Sequence, residues 1–185
     1  DFRQLAVGVD PARYGGDSTV VSALAGDVVV ELVEIKRADT YKIVSAIESV
    51  CSKLGTKRLA IDASAPGWGP MDVLRRKGYR VVEFVSGSSP KDRVRYMNLK
   101  AEMGWSLRQR FKDGAISIPD HERLQWELGA WRYQYDAAKR IRIVDPPRSP
   151  DFAEALLIAH WLQERGGVGG KIEVGSGTLT HSLDW

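Results

Sequence analysis

Two aspartates hold matching places in the chain. Asp10 ends the apolar run Leu5-Ala6-Val7-Gly8-Val9, and Asp62 ends Leu59-Ala60-Ile61. If these runs are neighbouring strands of an open α/β sheet, both carboxylates emerge at strand carboxyl ends, where such sheets bind ligands. Two carboxylates brought that close repel unless a proton or a cation lies between them. Hard, oxygen-preferring Mg²⁺ or Mn²⁺ is the natural cation. Each Asp also suits the plainer role of turning the chain after its strand, and residue type and spacing leave both readings open. Asp151 and Glu154 form a second acidic pair, in the first turn of the last expected helix. Three residues advance a helix by about 300°, so the two carboxylates share one face, about 60° apart. They also complement the helix dipole, the ordinary reason for acids there. His160 lies nine residues beyond Asp151, about half a turn off that face, and is rejected as a co-ligand. His121 and His181 have no ligand-like spacing either.

Other chemistries lack their residues. There is no Cys/His cluster for zinc, and the possible nucleophile–His–Asp sets are scattered. Gly8 and Gly15-Gly16 are not followed by the Gly-Lys-Ser/Thr of a phosphate loop. What remains is a carboxylate site beside a basic segment. The formal net charge is only +3, yet Arg75 to Lys112 carries eleven basic residues against Glu83, Asp92 and Glu102. An acidic body with one basic segment suits a polyanion, and the same charges also suit solvated helix faces. Carboxylates holding two divalent ions about 3.5–4 Å apart activate a water and stabilise the leaving oxygen of a phosphodiester. A basic groove would bring in the backbone to be cut.

The elements that must position these groups are readable from periodicity. Leu5–Val9, Ser18–Leu24 and Val28–Ile35 read as strands joined by Gly/Asp turns. Thr40 can cap a helix over 41–54, ended by Gly55. A strand at 58–61, a helix at 71–77 and a strand at 80–85 form successive strand–helix–strand passages, which call for parallel pairing. Helices are expected over 96–111 and 120–128, with a short strand at 116–118 between them. A hairpin follows from strands at 131–135 and 140–144. Ser149 can cap the last helix, 150–164, with Pro150 at its first position. Six glycines between Gly166 and Thr178 mark a tail. The expected fold is α/β, a three-strand antiparallel start followed by parallel strands, flanked by helices.

At 185 residues, with 43% hydrophobic and 28% charged, the chain suits one domain with a real core. Cys51 is the only cysteine, so a disulfide framework is excluded, and it reads as a core or helix-face residue. No apolar run approaches the roughly 20 residues of a membrane span. Trp105, Trp126, Trp131 and Trp161 are expected to pack the core rather than stack on bases, while Trp68 and Trp185 fall in loop or tail. The chain opens on Asp1 rather than Met, and the expectation is a domain of a longer protein.

Four motifs together carry a family resemblance. Val9-Asp10-Pro11-Ala12-Arg13-Tyr14-Gly15-Gly16-Asp17-Ser18-Thr19-Val20 resembles the opening motif of the nuclease domain of tailed-phage large terminases. Ile61-Asp62-Ala63 followed by Gly67-Trp68-Gly69 is similar to the second acidic motif. Asn98-Leu99-Lys100-Ala101-Glu102-Met103-Gly104-Trp105 resembles the family's Asn-x-[Lys/Arg]-Ala-Glu-Met-x-Trp helix, and Ser149-Pro150-Asp151-Phe152-Ala153-Glu154-Ala155-Leu156 its closing motif.

The resemblance spans roughly 5–162. It implies an RNase H-like nuclease domain over 1–165 with a glycine-rich tail over 166–185, the packaging ATPase domain preceding it and absent from this chain. It implies an endonuclease using two Mg²⁺ or Mn²⁺ ions to cut concatemeric double-stranded DNA. Asp10, Asp62 and Asp151 match the metal-binding carboxylates. Glu154 stands where relatives often carry Asp, and Asp17 matches an acid that binds metal through water or braces the hairpin. The implied partners are double-stranded DNA, the terminase ATPase domain, the small terminase subunit and the portal, in the host cytoplasm. Lys91, Arg93, Arg95 and Lys100 become candidate DNA contacts, with Lys139 and Arg140 at the hairpin tip as a second set. A DNA-docking module whose cleavage is latent in isolation is the alternative. An actin-like kinase fold would need a second glycine-rich phosphate loop that this chain does not show.

Overall fold

A computed structural model describes residues 5–11, 18–63, 69–166 and 179–180. Asp17, Trp68 and Trp185 lie outside the described residues. Strands β1 (Leu5–Asp10), β2 (Ser18–Ala25) and β3 (Val28–Lys36) run antiparallel in turn, and β4 (Arg58–Asp62) and β5 (Arg80–Phe84) continue the sheet in parallel. The order is β3-β2-β1-β4-β5, which puts β1 at the centre and β4 beside it. The crossovers pass through α1 (Thr40–Lys53) and α2 (Gly69–Arg76).

Strand alternation sorts side chains between two cores. Val7, Val9, Leu59 and Ile61 pack against Ile43, Val44, Ile47 and Cys51 of α1 and Leu74 of α2. Ala6, Ala60 and Phe84 face the other way, toward α3 (Leu99–Lys112), α4 (Glu122–Ala130) and α5 (Asp151–Glu164). By the same alternation Asp10 and Asp62 face α5. Among its residues from Asp151 to Gln163, α5 is buried at every position except Glu154. A helix apolar all round belongs in a core, and each fully buried Leu or Ile contributes about 1.5–3 kcal/mol. α5 lies so close to β1 that a Cβ on Gly8 would sit 2.3 Å from the Ala159 amide nitrogen and 2.4 Å from the Ala155 carbonyl oxygen.

Three expectations about helix starts need correction. Asp39, not Thr40, caps α1, its side chain accepting the Lys42 N–H at 2.9 Å. α3 starts at Leu99 with Asn98 as its cap, because the preceding Tyr96 and Met97 are drawn into pairing with Ile141. Ser149 does not cap α5; no side chain of the capping residue Pro150 does so either, and the partner comes from α4. Trp126 is also corrected: it is 51% exposed, whereas Trp131 and Trp161 are buried. The tail contributes β9 (Leu179–Thr180), paired antiparallel with β6 (Ile118–Pro119).

Cys51 is buried, and desolvation pushes its thiol up to about 12, so it is inert. His160 is fully buried between α3 and α5. Its Nδ1 accepts from Arg110 Nη1 at 3.1 Å and its Nε2 pairs with Ser106 Oγ at 3.0 Å. A guanidinium only donates, which fixes the Nε2–H tautomer. Burial and the Arg110 charge lower its pKa to about 3. Its folded pKa lies below the unfolded value of about 6.5, so the unfolded chain takes up the proton first. Stability therefore falls as pH drops below about 6.5. The expected loss from this group is about 2 kcal/mol between pH 7 and pH 5, and denaturant titrations of the parent and His160→Gln at both pH values check it, the variant showing the shallower decline.

Candidate functional site

Val9 pairs with Ile61 in the parallel β1–β4 register. Asp10 and Asp62 are the next residues on strands about 4.8 Å apart, and both face α5. Asp151 opens that helix. The three carboxylates are almost withdrawn from solvent, at 7%, 6% and 7% exposure for Asp10, Asp62 and Asp151. A cleft of about 280 Å³ at this end of the sheet is lined by Asp10, Ser18, Lys100, Asp145, Asp151 and Glu154. Asp62 lies behind the lining, yet its charge reaches Glu154. Burial is the main cause raising the Glu154 pKa, Lys100 opposes it, and Asp145 and Asp62 add to it.

Protein cations hold Asp145, Asp151 and Glu154. Lys100 Nζ pairs with Glu154, and with both Asp145 oxygens at 2.7 Å. Burial would lower the Lys100 pKa, but Glu154 and Asp145 outweigh it, and the ammonium form is favoured. Trp131 Nε1 donates to Asp145 Oδ1 at 3.0 Å. On the far side, Arg123 Nη2 donates to Asp151 Oδ2 at 3.0 Å, Nη1 to Glu34 Oε1 at 2.7 Å and Nε to Glu127 Oε1 at 2.8 Å. Glu127, with no exposure at all, accepts the Phe152 and Ala153 N–H groups at 2.7 and 3.0 Å. Its carboxylate therefore caps α5 from α4. Glu34 also accepts from Ser18 Oγ at 2.8 Å, linking the network to the cleft wall.

The donor chemistry suits a hard divalent cation, since all of its acidic groups are carboxylates, drawn from β1, β4, α5 and, for Asp145, the residue after the strand Ile141–Val144. Among the described residues, no group of three or more His, Cys, Asp or Glu is already gathered as a metal shell. Asp151 and Glu154 instead lean on Arg123 and Lys100. Sequence reading missed Asp145, Arg123, Glu127 and Glu34. Asp145 had a readable signal as the acid that ends the second hairpin strand; the other three act through contacts between separate elements.

The basic candidates divide. Lys100 is inside the cleft, its side chain 14% exposed. Lys91, Arg93 and Arg95 are exposed on a loop held by Glu102, whose carboxylate accepts the Lys91 and Asp92 N–H groups at 2.8 and 2.9 Å. That loop is tied to strand β8 (Ile141–Val144), which forms a hairpin with β7 (Arg132–Tyr135). The Ile141 N–H donates to the Arg95 carbonyl and the Met97 N–H to the Ile141 carbonyl, at 2.7 and 2.9 Å. The two segments read separately as DNA contacts are thus one body. Lys139 sits at the hairpin tip with a left-handed φ of 63°, and Arg140 pairs with Asp136 at 2.8 Å. Arg75 and Lys77 are spent on Glu83 and Glu48, and Arg110 on His160, Gln163 and Asp27.

No family model matches the chain, and no curated protein does. Solved structures do match. A mutant nuclease domain of the large terminase subunit gp2 of bacterial virus Sf6, with manganese and beta-thujaplicinol, superposes with a TM-score of 0.75 at 16% identity, over 86% of this chain and 89% of that one. The large terminase nuclease of thermophilic phage G20c with bound magnesium gives 0.69 at 18%, over 86% and 81%. The large terminase nuclease domain of Thermus phage P74-26 gives 0.67 at 17%, over 85% and 78%. The mixed five-strand sheet flanked by five helices is the RNase H-like fold of these nuclease domains.

Proposed function

We propose that this chain is a divalent-metal-dependent endonuclease domain of a viral DNA-packaging terminase, cutting double-stranded DNA. The observation that supports the reading is that Asp10 of β1 and Asp151 and Glu154 of α5 line one cleft, with Asp62 ending the strand beside β1. Asp10, Asp62 and Asp151, with Glu154 as an auxiliary ligand, would hold the Mg²⁺ or Mn²⁺ ions, two of them in this reading. Asp17 is a further candidate ligand that lies outside the described residues. When bound, such ions supply an activated water and charge stabilisation at the leaving oxygen. The chain's own residues do the rest. Lys100 keeps a positive charge beside Glu154 for an incoming phosphate to meet. The loop bearing Lys91, Arg93 and Arg95 is joined to α3 through Lys100 N–H, which donates to the Ser86 carbonyl at 3.1 Å. It would seat the DNA backbone next to the cleft without reading bases. The double-stranded substrate, the ATPase domain, the small terminase subunit and the portal are the partners this reading calls for, in the host cytoplasm. Plasmid cleavage in Mn²⁺, lost in excess chelator, is the direct test.

One observation favours the second reading, a DNA-docking module with latent cleavage. Lys100 already neutralises Glu154, so a metal ion must compete with a built-in cation there. Both readings expect salt-sensitive DNA binding. Removing the charge with Arg93→Ala or Arg95→Ala is expected to lower the slope of log affinity against log salt by about one each. Anisotropy titrations of a labelled duplex in chelator across a salt series measure it, and an unchanged slope removes the loop from the interface.

A further inference from the structure

We infer that Arg123, held by Glu127, is the residue that positions Asp151 for metal, resting on the site proposed above. All three guanidinium nitrogens are committed, each to a carboxylate on a different element. Nη1 is on Glu34 of β3, Nε on Glu127 of α4 and Nη2 on Asp151 of α5. The Cζ of the same guanidinium lies 4.8 Å from the ring centroid of Phe152, the residue after Asp151. Glu127 adds a second hold on the same point, through the Phe152 and Ala153 N–H groups. Asp151 is thus fixed from its backbone and from its carboxylate at once. Oδ2 is committed to the guanidinium.

The local sequence around Asp151 does none of this. Pro150 offers no capping side chain, and Asp151 at the first position of a helix would otherwise be free to swing through its rotamers. Outer groups that orient a metal ligand commonly change metal affinity 10–100-fold when lost. The flat fork matters as much as the charge. An ammonium in its place is one point of charge, which cannot reach three carboxylates spread around a guanidinium plane.

The test uses the whole chain and Mn²⁺ alone, with free Mn²⁺ read by electron paramagnetic resonance. Arg123→Lys is expected to weaken Mn²⁺ binding about 10–100-fold while leaving duplex affinity in chelator within about twofold. With Mn²⁺ saturating, it lowers kcat for plasmid cleavage more than it raises KM. Methylguanidinium added to Arg123→Ala is expected to restore part of the Mn²⁺ affinity, a rescue that a purely structural role would not give. Folded Arg123→Lys that binds Mn²⁺ like the parent, or Arg123→Ala whose Mn²⁺ affinity methylguanidinium leaves unmoved, overturns the positioning role alone. A parent that binds no Mn²⁺, or binds it equally well with Asp151→Asn, overturns the metal site and this role together.

Discussion

Asp62→Asn is expected to lower Mn²⁺-supported plasmid cleavage by about a thousandfold, equivalent to about 4 kcal/mol of transition-state stabilisation. The substitution is nearly isosteric, so the side chain still fits at the end of β4, where it is 6% exposed. It removes the charge that, with Asp10 on the adjacent strand, would hold a divalent ion. In the metal-free protein the same change lifts one of the charges that raise the Glu154 pKa, after burial and Asp145. The thermal midpoint in chelator is therefore expected to hold or rise. Loss of cleavage with an unchanged or raised thermal midpoint in chelator is the signature of a ligand. Full cleavage by Asp62→Asn would remove Asp62 from the site, and loss of cleavage with a fallen midpoint would make it a fold residue.

Gly8→Val is expected to cost about 3 kcal/mol or more and to lower the thermal midpoint by about 10 °C. The added Cβ meets backbone atoms of Ala155 and Ala159, at 2.4 and 2.3 Å, and backbone cannot rotate aside as a side chain would. Either α5 moves off β1 or the strand bends. Because Asp10 is two residues after Gly8 and Asp151 is one turn before Ala155, either movement also separates two of the proposed ligands. Gly8→Ala, with the same first carbon, is expected to lose nearly as much, because the clash begins at Cβ. A midpoint within about 2 °C of the parent in either variant would show that the β1–α5 approach is looser than described. Thermal melts in chelator decide it.

Strand alternation carried much of the fold. Val7 and Val9 against Ala6 and Gly8 already sort into two faces, and Asp10 and Asp62 mark themselves by ending apolar runs. Boundaries failed where the deciding partner was distant. Tyr96 looks helical by spacing but is held by Ile141, 45 residues on, and Ser149 looks like a cap while Glu127 of another helix holds the α5 amides. Arg123 left no signal because its meaning depends on Glu34, Glu127 and Asp151 meeting in space. Trp126 was misread because spacing on a short helix does not say which side the sheet takes. Lys100 is legible in the sequence as a charge, but its place between Glu154 and Asp145 depends on α3, α5 and the end of β8 meeting in space.

Among the described elements, the central strand of the sheet comes first and the helix that covers it is the last helix. Asp10 and Asp62 are in place once β1 to β5 have paired, but Asp151 reaches them only when α5 docks onto Gly8. On a ribosome, the sheet could form while α5 was still in the exit tunnel, and the carboxylate set would be one short. If the proposed activity is correct, cutting competence arises only when α5 docks, later than the sheet itself.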